Sequence, residues 1–89
     1  MTLTLLARAY CHLCDEMREA ASAMLAPSGV ALVELDVDTD PALEARWGDK
    51  VPVLLDGDTA LCFHRLDRVA LGRWLRQTLP TVASKSKIG

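Results

Sequence analysis

The chain has 89 residues, of which 51% are hydrophobic, and its net charge at pH 7 is −2. This length and composition indicate one globular domain with a single core and exclude a disordered chain. The charge balance gives no reason to expect nucleic acid or an anionic membrane as a partner, and no apolar run approaches the roughly 18 residues of a transmembrane helix.

The first two predicted elements lie on either side of a pair of cysteines. Residues 2–7 form an apolar run that is typical of a buried strand. Cys11 and Cys14 follow, with two residues between them. Apolar residues then recur at helical spacing, which predicts an amphipathic helix of about 14 residues that Pro27 and Gly29 end.

A cysteine pair at a strand-to-helix junction has a definite chemical meaning. Unpaired backbone N–H groups and the helix dipole favour a thiolate at Cys11, although Asp15 and Glu16 in the first turns oppose it. Cys14 lies one helical turn further on, close enough to attack a mixed disulfide at Cys11. A Cys-x-x-Cys motif near a β-α-β pattern is typical of thioredoxin-like redox sites. The alternative is a pair of buried thiols without redox chemistry.

A second strand is predicted over residues 30–37, which are apolar enough for a central strand in a sheet covered on both faces. With the first strand and helix it forms a β-α-β unit, whose strands are parallel and whose crossover is right-handed. Asp40 and Pro41 predict a short helix, because aspartate can cap it and proline suits its first position. Gly48 ends this helix.

A hairpin is predicted next. Residues 51–55 are apolar and carry Pro52 near their start, where a strand tolerates proline. Asp56-Gly57 is a strong hairpin signal, so residues 59–63 are expected to return antiparallel to the preceding strand.

The last predicted helix closes the domain. Apolar residues at helical spacing run from Leu66 to Leu79, and Pro80 ends the pattern. We therefore expect a single domain over residues 1–80 and a flexible polar tail over residues 81–89. The predicted order is β-α-β-α-β-β-α, which is the minimal order of a thioredoxin fold.

Three features in this order resemble the glutaredoxin branch of the thioredoxin superfamily, in particular its small glutaredoxin-like proteins. They are Cys11-His12-Leu13-Cys14 after the first strand, Val51-Pro52 at the third strand, and the hairpin before the closing helix. The resemblance spans residues 2–79. It implies an α/β thioredoxin fold with a four-stranded mixed sheet flanked by helices.

The resemblance also implies roles for individual residues. Cys11 matches the family's nucleophilic cysteine and Cys14 its resolving cysteine. Pro52 matches the cis-proline that faces the disulfide, and Val51 the residue whose backbone pairs with the bound thiol substrate. The implied activity is thiol–disulfide oxidoreduction of a protein or small-thiol substrate, with no required cofactor and with glutathione or a reductase as the source of electrons.

Two departures from the family pattern bear on substrate recognition. His12-Leu13 replaces the usual Pro-Tyr, and a protonated His12 would stabilise the nucleophilic thiolate; an exposed histidine without effect is the alternative. The family's glutathione-binding glycine pair is missing after the last strand, and Asp67 is the candidate for its acid. His64 and Arg65 there either contact an anionic substrate or lie in a solvated loop. We expect weak glutathione recognition.

Two further residues leave alternatives open. Cys62 and His64 are two positions apart on a predicted strand, so with Cys11 and Cys14 they offer a Cys₃His zinc site, although such a site would consume the nucleophile. We expect no metal and interpret Cys62 as a small buried residue. Tyr10 either shields the disulfide or covers the end of the sheet.

Other functions remain alternatives to an enzyme. The same fold can present Cys11 as a ligand for an iron–sulfur cluster or for a thiolated partner without turnover, or serve as a redox-silent adaptor. No signal peptide is visible, and three cysteines are too few for a disulfide framework, so we expect a cytoplasmic protein. We expect a monomer whose partners are disulfide-containing proteins or small thiols.

Overall fold

The computed structural model describes residues 1–78. Its strands and helices are β1 (Thr2–Ala7), α1 (His12–Leu25), β2 (Ala31–Asp36), α2 (Pro41–Trp47), β3 (Val53–Asp56), β4 (Thr59–Phe63) and α3 (Arg68–Thr78). The predicted order of elements is confirmed. The predicted tail over residues 81–89 lies outside the described residues, as do Leu79 and Pro80, so the domain boundary at residue 80 stays a prediction.

The four strands form one mixed sheet in the order β2-β1-β3-β4. β1 is parallel to β2 and antiparallel to β3, and β3 pairs with β4 in the predicted hairpin. The two-residue turn of that hairpin contains Gly57, whose φ of 61° is a backbone conformation that glycine adopts without steric cost. β1 and β3 are therefore the two strands with neighbours on both sides, and β2 and β4 form the edges.

β2 is an edge strand, so the prediction of a central position was wrong. The exposed fractions of Val33 and Leu35 are 46% and 43%, although both are large apolar side chains. The face that carries them is covered by α2 alone, which has only seven residues and packs its apolar side chains over β1 and β3. An apolar run indicates a strand, but it does not show which strand is flanked on both sides.

The other face of the sheet holds the larger core. Met17, Ala21 and Leu25 recur at four-residue spacing on α1 and are almost completely buried against β1 and β3. Leu71 of α3 joins them with no exposed surface. The helix that carries the cysteines is thus fixed on the sheet by its own apolar stripe. Among residues 1–78, no helix is both long and apolar enough to cross a membrane.

Candidate thiol-redox site

Cys11 is the N-cap residue of α1. Its backbone is extended (φ −114°, ψ 106°), and its Sγ accepts a hydrogen bond of 3.1 Å from the backbone N–H of Cys14. The backbone N–H of Asp15 donates to the Cys11 carbonyl over 3.1 Å, which closes the first helical turn. A sulfur atom at the N-cap position accepts hydrogen bonds from the unpaired backbone N–H groups at the start of the helix. These N–H groups stabilise negative charge on the sulfur.

Cys11 and Cys14 are joined by a disulfide, with their Cα atoms 5.2 Å apart. Cys11 is partly exposed, whereas Cys14 has no exposed surface because it lies on the buried stripe of α1. One sulfur of the pair is therefore reachable from solvent and the other is shielded by the protein. This asymmetry matches the roles of nucleophile and resolving cysteine that the resemblance implies for them.

The residues beside Cys11 are exposed. His12 is the first residue of α1 and points into solvent. Tyr10 has an exposed fraction of 105% and a φ of 58°. It therefore covers neither the disulfide nor the end of the sheet, and both interpretations offered for it above were wrong.

Pro52 and His64 lie next to each other. The Val51–Pro52 peptide bond is cis, and Pro52 is buried at the start of β3. The backbone N–H of His64 donates to the Pro52 carbonyl over 2.8 Å. Val51 is half-buried and packs against the smaller core beneath α2. The structure thus brings three of the predicted substrate-contacting residues to one corner of the sheet.

Asp67 accepts hydrogen bonds from the backbone at the start of α3. Its Oδ1 accepts a hydrogen bond of 2.9 Å from the backbone N–H of Ala70, and its carbonyl accepts from the N–H of Leu71 over 3.0 Å. It therefore caps the start of α3, where aspartate stabilises a helix. Its carboxylate is exposed, and whether it also contacts a substrate stays a prediction.

The zinc alternative assumed that Cys62 and His64 lie on one strand and point to the same face, and this assumption was wrong. β4 ends at Phe63, and His64 has a φ of 70°, so the two-residue alternation that would align it with Cys62 stops before it. Cys62 is half-buried, and burial raises the pKa of its thiol; a hydrogen bond from the Asp67 backbone works against this increase, and the negative charge of the exposed Asp67 carboxylate adds to it. Within residues 1–78, His, Cys, Asp and Glu side chains form no group of three that could hold a metal ion.

A groove of about 240 Å³ runs between α1 and the segment that precedes α3. One wall comes from residues 13–20 and the other from residues 64–68, with Leu13 and His64 contributing to opposite walls. The sequence drew attention to His64 and Arg65 alone. Arg68 and the α1 residues were missed because only the packing of α1 beside the 64–68 segment brings them together.

A second groove, of about 390 Å³, lies on the other side of α1, near Tyr10. Its cations are neutralised by neighbouring acids. Arg18 donates to Asp15 over 2.8 Å and to Glu34 over 2.7 Å; both bonds raise the pKa of Arg18, and the bond from Arg18 lowers the pKa of Glu34. Arg8 pairs with Asp38 and Glu44, each over 3.3 Å.

A four-stranded mixed sheet that carries a cysteine pair at the start of its first helix defines a thioredoxin-like protein. The model of the glutaredoxin-like domain (DUF836) family matches residues 2–76, and this chain belongs to that family. The comparison with curated proteins found no match.

Solved structures agree with this assignment. A protein from Nitrosomonas europaea is 31% identical, with 82% of this chain and 88% of that chain covered and a TM-score of 0.73. A protein from X. campestris is 35% identical, with coverage of 85% and 97% and a TM-score of 0.62. A malarial protein, 18% identical with coverage of 88% and 96% and a TM-score of 0.60, shares the fold.

Proposed function

We propose that this protein is a thiol–disulfide oxidoreductase that uses Cys11 and Cys14 as its redox couple. The observation that carries the proposal is the placement of the Cys11 sulfur at the N-cap of α1, bonded by the Cys14 amide, with Cys14 itself buried behind it. A thiolate at this position is stabilised by backbone amides and is open to a substrate.

The reaction proceeds by two exchanges. In the first, the Cys11 thiolate attacks one sulfur of the substrate disulfide; a Cys11–substrate S–S bond forms, the substrate S–S bond breaks, and the leaving thiolate takes up a proton. In the second, Cys14 loses its proton and attacks Cys11 Sγ, which releases the other substrate sulfur as a thiol. The substrate gains two electrons and the protein ends as the Cys11–Cys14 disulfide. Two molecules of glutathione, which leave as glutathione disulfide, or a reductase that supplies two electrons then reduce the Cys11–Cys14 disulfide.

The neighbouring residues have roles in holding the substrate. Val51 offers its backbone to the substrate segment, and Pro52 limits the space beside the disulfide. His12 and His64, both exposed, offer their imidazole groups to the substrate. The carboxylate oxygen of Asp67 that does not cap α3 is available to the substrate. The roles of Val51 and Pro52 follow the family resemblance, and those of His12, His64 and Asp67 belong to this proposal.

Three serine variants test the proposal with bis(2-hydroxyethyl) disulfide, a neutral substrate. Cys11→Ser should abolish turnover, because the nucleophile is lost. Cys14→Ser should accumulate a mixed disulfide at Cys11, visible as a mass increase in the intact protein. Cys62→Ser is the matched control and should retain turnover. Activity in Cys11→Ser, or an adduct at Cys62 in Cys14→Ser, would contradict the proposal. A brown protein after purification with glutathione would favour the iron–sulfur alternative.

A further inference from the structure

The groove between α1 and the 64–68 segment begins beside the redox pair. Its first α1 residue, Leu13, lies between the two cysteines, and His64 on the opposite wall is hydrogen-bonded to Pro52. From Leu13 to Ala20 the helix rises by about 10 Å at 1.5 Å per residue. That length corresponds to about three residues of extended chain at roughly 3.3 Å each. The groove therefore accommodates a short peptide segment that leads away from the disulfide.

The wall opposite α1 is cationic. Arg65 and Arg68 both line the groove, and within residues 1–78 neither is part of an ion pair. The arginines of the second groove, by contrast, are paired with acids of the protein itself. An unpaired guanidinium presents a fork of donors that matches a carboxylate. This wall is suited to acidic side chains.

The α1 side of the groove differs in chemistry from the arginine wall. Met17 forms a buried floor with 1% exposure, and the half-buried Leu13 and Leu66 extend this apolar surface on the two sides. Among residues 1–78, Glu16 is the only acid that lines the groove, and it repels carboxylates from the α1 side. Asp67 does not line it, because its carboxylate turns towards the amide of Ala70. An apolar side chain between two acidic ones complements this arrangement.

We propose that this groove binds the segment next to the reactive cysteine of a protein disulfide substrate, and that it selects segments in which acidic residues flank an apolar one. The inference rests on the proposed function, and it assigns to that function a class of substrate: acidic protein disulfides. The contacts are electrostatic at the arginine wall and hydrophobic at the floor.

The test uses acetylated and amidated peptides in which one cysteine is joined to 2-mercaptoethanol as a disulfide. The acidic peptide has the sequence Cys-Glu-Leu-Glu, the neutral one Cys-Gln-Leu-Gln, and each is also made in reverse order. Reduced protein carrying Cys14→Ser and Cys62→Ser is mixed with each peptide, and formation of the Cys11–peptide adduct is timed by mass spectrometry. At low salt we expect the acidic peptide to react about fivefold faster in at least one order, since exposed ion pairs of this kind have small individual effects.

Matched charge variants locate the effect. Arg65→Gln with Arg68→Gln should remove the preference for the acidic peptide. Arg73→Gln with Arg76→Gln changes the net charge equally on exposed residues of α3 outside the groove, and should retain it. Glu16→Gln should increase the preference. Equal rates for acidic and neutral peptides, or equal losses in both arginine pairs, would overturn the proposal.

A binding measurement separates this proposal from the proposed chemistry. The serine peptide Ser-Glu-Leu-Glu cannot react, so we expect it to shift the amide resonances of residues 13–20 and 64–68 in the oxidised protein. Shifts elsewhere, or none at millimolar peptide, contradict the groove proposal even if Cys11 reacts with disulfides. Shifts in the groove without any reaction of bis(2-hydroxyethyl) disulfide contradict the oxidoreductase proposal alone.

Discussion

The Arg18 guanidinium holds the Glu34 carboxylate through two hydrogen bonds of 2.7 Å, one from Nε and one from Nη2. These bonds join the middle of α1 to the edge strand β2, so they tie the cysteine helix to the most exposed part of the sheet. The third donor, Nη1, contacts Asp15 over 2.8 Å. Asp15 would otherwise oppose a thiolate at Cys11, and Arg18 therefore reduces the electrostatic cost of that acid.

We predict that Arg18→Gln lowers stability in a pH-dependent way. The hydrogen bond from Arg18 holds the pKa of Glu34 below its ordinary value in the folded state. The resulting stabilisation is fully present above the pKa of an unfolded glutamate, about 4.3, and is lost as the pH falls through the lower pKa of the folded protein. Because both side chains are partly exposed, we expect a loss of about 0.5–1 kcal/mol at pH 7 in urea unfolding, and a smaller loss at about pH 3.

A double-mutant cycle with Glu34→Gln checks the cause of this pH dependence. The coupling between the two substitutions should be measurable at pH 7 and should vanish at the acidic end. Arg73→Gln, which removes an arginine without an ion pair among the described residues, is the control. Zero coupling at pH 7 would show that the two hydrogen bonds contribute nothing to stability.

In the reduced protein, we predict that iodoacetamide labels Cys11 before the other two cysteines. Cys11 is partly exposed at the helix start, whereas Cys14 is fully buried. Burial raises the pKa of Cys62, so less of it is thiolate at neutral pH. Limiting reagent followed by peptide mass mapping gives the order. Preferential labelling of Cys14 or Cys62 would contradict the assignment of Cys11 as nucleophile.

Much of the fold was predictable because local signals carry it. Helical periodicity gave the length of α1, aspartate and proline marked the start of α2, and Asp56-Gly57 marked the hairpin. The edge position of β2 was not predictable from residues 30–37, since strand order depends on how distant strands pair. The sequence of a sparsely covered edge strand such as β2 can be as apolar as that of a central strand, so the apolar pattern does not distinguish the two positions.

The site was predictable only where its chemistry lies within one motif. Cys11 and Cys14 are close in sequence, and their placement follows from the start of α1. The groove that Leu13, Met17 and Arg68 line has no sequence signal of its own, because it depends on packing between elements far apart in the chain. The exposure of Tyr10 was also missed, because nothing in the sequence indicates its positive φ of 58°.

We predict that Tyr10→Asn does not destabilise the protein, although it removes a large aromatic side chain. Tyr10 is fully exposed, so the substitution loses no buried surface. Its φ of 58° lies in the left-handed region, which asparagine adopts more readily than a bulky residue. The free energy of unfolding in urea should stay equal or rise by up to about 1 kcal/mol. Tyr10→Val is the contrasting variant, because a β-branched residue tolerates this φ poorly and should lower stability.

The last prediction concerns glutathione, whose recognition in the glutaredoxin branch depends on a glycine pair that approaches the ligand carboxylate closely. Here Phe63 and His64 occupy that segment, and their rings pack edge to face at 5.4 Å. Side chains at these positions crowd the approach to the backbone amides. We therefore expect Cys14→Ser to react with oxidised glutathione no faster than with bis(2-hydroxyethyl) disulfide.

A gain-of-function variant tests the physical reason for this prediction. Phe63→Gly combined with His64→Gly removes the side chains, and His64 already has the positive φ that glycine favours. If backbone amides then reach the glutathione carboxylate, one added charge-assisted hydrogen bond should accelerate mixed-disulfide formation by about tenfold. Arg73→Gly is the control for a glycine introduced elsewhere. Tight glutathione binding by the unaltered protein, with resonance shifts at Val51, His64 and Asp67, would instead identify a working glutathione site built without the glycine pair.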